Sequence, residues 1–353
     1  MKSTFITIVS FVILFAFSSC EKDDSNRTYD FKDLGFEFDY ELYSVSFINE
    51  DIGFAGGGDR ENHYLLKTMD GGDTWNEIII DDYISPIDND VSAICFPSEN
   101  IGYLSFGIDG YKTTDQGETW EKMDGFFQRN MIFTSVDTGF TYNGNLRYTV
   151  DGGQTWNRYP EGTFSSTINS GEIRIEGVQF LKNNSSIGFA FDENGEIFIS
   201  RDGGISWEIY NGEWIAENSN ANSIRFLTGI YFISETEGFI FNDDGIYKTT
   251  DSGKSFNLIN PKGIKIVNGE ITSHLKISHT DENTIYFNGW ENLYKTKNGF
   301  ESYSEVSIEN YQNDGDTYVD INHFTMVNNN IGYAVGSGSD DDKDYGVILK
   351  YLK

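Results

Sequence analysis

One octapeptide recurs along this chain and restricts the folds open to it more than any other feature: Thr68-Met69-Asp70-Gly71-Gly72-Asp73-Thr74-Trp75. Versions of it return at 113–120, 149–156, 200–207 and 249–256, and a degraded copy at 296–303 carries Asn298 and Phe300 where Asp and Gly belong. The consensus is Ser/Thr-x-Asp-x-Gly-x-Ser/Thr-aromatic. Its spacing of roughly 45 residues falls within the period range of propellers and other repeat arrays. A unit that small cannot bury its own apolar face, so the units must stack into one domain.

The segments between the octapeptides repeat too. Each opens with a strand-like run ending in a large apolar residue, then a short polar turn, then Gly-aromatic. Phe47 precedes Gly53-Phe54, Phe96 precedes Gly102-Tyr103, and Phe133 precedes Gly139-Phe140. Phe180 precedes Gly188-Phe189, Phe232 precedes Gly238-Phe239, and Met326 precedes Gly332-Tyr333. A looser opening runs from Leu275 to Phe287. A third strand such as Tyr64–Lys67 enters the octapeptide and a fourth leaves from its aromatic, which makes one four-stranded antiparallel blade. The 28 Phe, 21 Tyr and 37 Gly, against only 4 Pro, suit such a strand-and-turn chain.

Seven openings but six octapeptides leave one blade short of a strand. The chain stops at Val347–Tyr351, which reads as a third strand. The segment Thr28–Phe31 is expected to supply the fourth and close the ring, removing an exposed edge. The prediction is an all-β, seven-bladed β-propeller spanning 28–353, closed by an N-terminal strand.

The octapeptide's residue types suit a hairpin turn. Its Asp carboxylate is expected to accept main-chain N–H bonds from two residues on. Gly takes a positive φ at low cost, and the aromatic packs between strands or blades. These copies resemble the Asp-box, or BNR repeat, of sialidases, sortilin-type receptors, some xyloglucanases and the photosystem II assembly-factor family; the resemblance covers about 41–353. The full unit is most similar to the photosystem II assembly-factor type. In Asp-box enzymes the motif lies away from the active centre, so the resemblance implies structural roles for Asp70, Gly72, Trp75, Asp115, Gly117, Trp120, Asp151, Gly153, Trp156, Asp202, Gly204, Trp207, Asp251, Gly253 and Phe256.

The N-terminus reads as an address. Met1-Lys2-Ser3 precedes an apolar run to Phe17, then Ser18-Ser19-Cys20. The run is too short to span a bilayer, and the pattern is that of a cleaved secretory signal over 1–19. Ser18-Ser19-Cys20 resembles the bacterial lipobox, and Glu21-Lys22-Asp23-Asp24 resembles the surface-export signal of Bacteroidetes lipoproteins. These resemblances imply lipidation of Cys20, a tether over 20–27, and an outer-membrane, cell-surface location. Cys95 is then the only other cysteine and cannot form an intramolecular disulfide; its apolar strand-like setting points to a buried core role.

A net charge of −31 repels phosphate backbones and excludes nucleic acid as the expected partner. Enzymatic signatures are sparse. The sialidase resemblance would require an Arg-Ile-Pro signature, and the nearest run, Ile173-Arg174-Ile175-Glu176, lacks the proline and lies mid-chain. His274 and His279 are five apart, an offset that separates them on a regular strand. The acidic runs Asp340–Asp344 and Asn313–Asp316 match no EF-hand register. No metal or cofactor is expected. Propellers bind ligands on the face built by inter-blade loops, the longest here being 79–90, 159–174, 210–226, 259–272 and 306–320. Trp214 and Trp290, the only tryptophans outside the octapeptides, are the candidate ligand contacts. The reading is a monomeric, non-catalytic binder of a protein or glycan, with a membrane attachment at Cys20. A glycoside hydrolase or lyase using face carboxylates is the alternative, and a purely structural envelope protein a third.

Overall fold

A computed structural model describes residues 29–352 apart from 60–61, 81–90, 107–108, 125–129, 143, 165–173, 193, 211–226, 228, 243–244, 260–276, 280–283, 289–292, 310–317 and 340–343. The first strand, β1, is Phe31–Asp33. Blade one follows as β2 Glu41–Phe47, β3 Gly53–Gly58, β4 His63–Thr68 and β5 Asn76–Ile78. Blade two is β6 Val91–Cys95, β7 Gly102–Phe106, β8 Asp109–Thr113 and β9 Glu121–Met123. Blade three is β10 Asn130–Phe133, β11 Gly139–Tyr142, β12 Arg147–Thr149 and β13 Asn157–Arg158. Blade four is β14 Ile175–Leu181, β15 Asn184–Asp192, β16 Ile197–Ser200 and β17 Glu208–Ile209. Blade five is β18 Gly229–Phe232, β19 Gly238–Asn242, β20 Gly245–Thr249 and β21 Asn257–Ile259. Blade six is β22 Ile277–His279, β23 Ile285–Asn288, β24 Leu293–Thr296 and β25 Tyr303–Glu305. Blade seven takes β26 Tyr318–Met326, β27 Ile331–Ser339 and β28 Asp344–Leu352, and its fourth strand is β1.

The seven four-stranded antiparallel sheets are those the repeats predict. Ring closure is also as expected, with a shift in register. The closing strand is Phe31–Asp33, not 28–31: Phe31 pairs Tyr351, Lys32 pairs Lys350 and Asp33 pairs Leu349. By register, Phe31 stands where the octapeptide aromatic stands in other blades, and it is fully buried. The reason is packing: this register presents an aromatic, rather than a polar residue, to the blade interface. Asp30 secures the position. Its carboxylate accepts the Ser307 main-chain N–H and hydroxyl at 3.1 Å each and pairs with Lys295 of blade six.

The repeated opening has a steric explanation. Phe47 lies directly across the ladder from Gly53, as Phe133 does from Gly139 and Phe232 from Gly238. The first-strand ring lies over the glycine, so a Cβ on Gly53 would meet the Phe47 ring at 2.4 Å. The adjacent aromatic of the second strand reaches across to the first-strand aromatic of the next blade. Phe54 stacks on Phe96, Tyr103 on Phe133, Phe140 on Phe180 and Phe189 on Phe232, and Tyr333 stacks on Phe47 to complete the ring. The apolar core is accordingly a series of clusters between blades, as a stacked repeat requires. Cys95 sits at the end of β6, part-buried, with its thiol pushed up to about 12 by burial.

Candidate functional site

Up-and-down strands give the ring two unlike ends. One holds the octapeptides together with the turns joining first and second strands. In blade one, Thr68 Oγ1 donates to Asp70 Oδ1 at 2.8 Å and accepts the Gly72 N–H at 2.8 Å. Asp70 then accepts the Thr74 N–H at 2.8 Å and the Thr74 hydroxyl at 2.6 Å. The same set recurs around Asp115, Asp151, Asp202 and Asp251. The carboxylate thus reaches four residues on, not two, because it spans the whole turn and fastens its exit strand. Hydroxyl and main-chain donors hold Asp115 and Asp151 down to about 2.

These turns also lock neighbouring elements. Gly71 N–H donates to Asp51 O within blade one, at 2.8 Å. Gly71 O in turn accepts Tyr333 Oη at 2.7 Å and Lys350 Nζ at 2.6 Å from blade seven. Trp75, Trp120 and Trp156 pack edge-on against Phe47, Phe54 and Phe133, and Trp207 meets Phe180 similarly. This end is occupied with holding the ring together.

The other end carries the turns between second and third strands. Long connections start against the neighbouring blade: Tyr159 Oη donates to Gly204 O, and Tyr210 Oη donates to Glu235 O at 2.9 Å. Trp214, Trp290, His274 and the acidic runs 313–316 and 340–343 lie outside the described residues, as does Cys20. His279 closes β22. Among the described residues, no three His, Cys, Asp or Glu side chains gather as a metal site.

Two features of this end were not legible as sites in the sequence. The first is basic. Arg147 and Arg158 face each other across β12 and β13, and burial together with Arg158 lowers the Arg147 pKa from its ordinary value. Arg174 immediately precedes β14, by the turn before β12: a Cβ on Gly144 would lie 3.9 Å from its Nε, and Glu176 sits 3.7 Å away. Arg147 and Arg158 thus make a basic pair on a strongly acidic protein, with Arg174 at the neighbouring turn. The 11-residue separation of Arg147 and Arg158 hid the pair; only the hairpin register brings them together.

The second feature is acidic and internal. Asp192 and Glu196 flank the turn between β15 and β16, both fully buried. Burial first, and the Glu196 charge after it, push the Asp192 carboxyl up to about 6. Asp192 accepts the Glu196 N–H at 2.7 Å, the Asn194 N–H at 3.0 Å and the Asn194 amide at 3.0 Å. A carboxylate so enclosed and so occupied shapes the turn and is closed to a substrate. Elsewhere at this end the Tyr40 and Tyr64 rings stack at 3.6 Å, and Lys122 pairs with Asp109 at 2.7 Å.

Fold and turn together define this chain as a seven-bladed Asp-box β-propeller. The family described as BNR/Asp-box repeat matches residues 198–208. Among solved structures the chain is similar to YCF48 bound to D1 peptide, at 15% identity and a TM-score of 0.64, over 90% of this chain and 96% of that one. It is similar to YCF48 from Cyanidioschyzon merolae at 14% identity and a TM-score of 0.64, over 92% and 98% of the two chains. The GH74 xyloglucanase from Xanthomonas campestris is also similar, at 12% identity and a TM-score of 0.59, over 88% of this chain and 53% of the enzyme. At such identities the likeness is one of fold. No curated protein sequence matches the chain.

Proposed function

We propose that this propeller is a non-catalytic, lipid-anchored cell-surface protein that binds a protein partner at the end opposite its Asp-boxes. The observation that carries the reading is the division of labour between the two ends. The Asp-box end spends its polar groups on internal bonds, while the other end carries two exposed arginines, Arg158 and Arg174. Propellers of this shape include YCF48 bound to D1 peptide, a protein-peptide complex on a similar frame. An arginine group on an otherwise acidic surface favours a partner segment bearing carboxylates, through paired hydrogen bonds. A protein is therefore preferred to a neutral glycan as the ligand. The anchor at Cys20 holds the protein at the outer membrane, where a scaffold or assembly role fits an acidic, soluble body.

The glycosidase alternative needs two solvent-facing carboxylates at a set separation. Asp192, the described carboxylate raised towards the general-acid range, is buried and supports structure instead.

Crosslinking on intact cells followed by capture of the full-length protein tests the reading. The expected result is a discrete envelope-protein partner whose recovery falls severalfold in an Arg158→Glu/Arg174→Glu variant of unchanged stability. Turnover of an oligosaccharide panel, abolished by changing one exposed carboxylate, would replace this reading with the hydrolase.

A further inference from the structure

The point where the N-terminal segment joins the ring has a directional consequence. β1 runs antiparallel to β28, with Phe31 opposite Tyr351 and Asp33 opposite Leu349. Tyr351 lies beside the turn joining β26 to β27, which is at the Asp-box end, since Gly332 is its other ladder partner. The chain before Phe31 therefore leaves the ring at the Asp-box end, at the junction of blades six and seven. That exit is fixed. Phe31 is fully buried; Asp30 donates its N–H to Ser307 O at 3.0 Å, and its carboxylate is held by Ser307 and Lys295.

Only eight residues lie between Cys20 and Tyr29, a reach of about 30 Å if fully extended. The blade-seven strand β28 alone has nine residues and is itself about 30 Å long. A tether of that length would be used up in running back along the blade, leaving nothing to place the opposite end on a bilayer. Exposed apolar side chains lie at the Asp-box end as well as elsewhere: Ile79 follows β5, and Ile209 and Leu258 lie on fourth strands. Met69, Val150, Ile205 and Ile233 all project from turns at the Asp-box end, at 63%, 50%, 45% and 45% exposure. With a surface this acidic, approach to lipid comes from the anchor and these apolar tips rather than from charge.

We infer that the propeller stands on the membrane with its Asp-box end towards the lipid and its turns between second and third strands facing outward. The inference rests on the lipid anchor at Cys20 proposed above. It assigns the Asp-box end a partner, the lipid surface, and leaves the arginine-bearing end free for a partner in the surrounding medium.

The test uses the full-length acylated protein in vesicles containing headgroup-quencher lipid. Fluorophores are placed singly, in a Cys95→Ser background, at Gln154→Cys or Asn329→Cys on the Asp-box end and at Glu37→Cys or Asn145→Cys on the other. Severalfold stronger quenching at 154 and 329 than at 37 and 145 is expected; equal or reversed quenching overturns the orientation. A Gly/Ser linker of about 20 residues inserted after Asn26 should erase the difference, because a flexible tether of that length no longer restricts the ring. If the difference survives the linker, tether length is not its cause and the argument falls. Mass spectrometry of the Cys20 peptide separates the two readings: an unmodified cysteine defeats the anchor and the orientation together, whereas an acylated cysteine with unbiased quenching defeats the orientation alone.

Discussion

Phe300 lies with its ring centroid 4.7 Å from that of Phe239, filling the interface between blades five and six. It also meets Phe241 and Phe287, at 5.4 and 5.2 Å. At five other interfaces this space belongs to a first-strand aromatic of the following blade, and the octapeptide position is glycine. In blade six the corresponding first-strand position is His279, paired with Ile285 in place of glycine. The degraded octapeptide is thus a compensated one. Asn298 keeps the turn, accepting the Ser302 N–H at 3.0 Å, and Phe300 takes a φ of 63° to bring its ring inward.

Restoring the consensus should therefore harm the protein. Removing a buried Phe side chain costs about 3–5 kcal/mol, and relief of the left-handed backbone returns about 1–2 kcal/mol. Phe300→Gly is expected to lower unfolding free energy by about 2–3 kcal/mol, read from urea denaturation. A neutral or stabilising result would show that the interface does not depend on this ring.

The octapeptide glycines should differ in tolerance. A Cβ on Gly117 would lie 2.4 Å from the Phe54 ring, whereas on Gly153 its closest contact is the Met123 Sδ at 2.9 Å. Both take positive φ, 74° and 84°. Gly153→Ala should cost about 1–2 kcal/mol from backbone strain alone. Gly117→Ala should cost about 3 kcal/mol, since a stacked ring held between blades cannot yield as a methionine can. Equal thermal shifts in the two variants would contradict this.

Ring closure should depend on one short strand. Phe31→Ala is expected to destabilise by about 3–5 kcal/mol, and deletion through Asp33 to leave β28 as an open edge prone to intermolecular pairing. Size-exclusion chromatography and limited proteolysis of the deletion variant would reveal aggregation or cleavage near the C-terminus.

Stability should vary with pH in two opposed ways. Asp115 and Asp151 are held at about 2, below their unfolded value near 3.9. The unfolded chain binds more protons there, so stability rises between about pH 2 and 4 and is lost as pH falls through the folded value. Asp192, raised to about 6, binds its proton more tightly when folded, so its contribution falls as pH climbs from about 4 to 6. Asp192→Asn should flatten that decline by on the order of 2 kcal/mol relative to the parent chain, while leaving the acid limb unchanged. Denaturation midpoints across pH 2–7 check both signs.

The blade count, the four-strand unit and the N-terminal closing strand were all legible in the sequence, because each depends on residue types repeated at fixed spacing. Asp151 and Thr155, or Phe133 and Gly139, are close enough along the chain for local geometry to dictate their contact. What the sequence withheld was every relationship between blades. It does not show that Phe300 substitutes for an aromatic missing from a strand some 20 residues earlier. Nor does it show that Phe31, rather than its polar neighbours, reaches Tyr351, or that Arg147 and Arg158 face each other. Those outcomes follow from packing and register, which are settled only when a chain segment meets a surface distant in sequence. The repeat decided that a ring would form; tertiary packing decided which side chains meet between its blades.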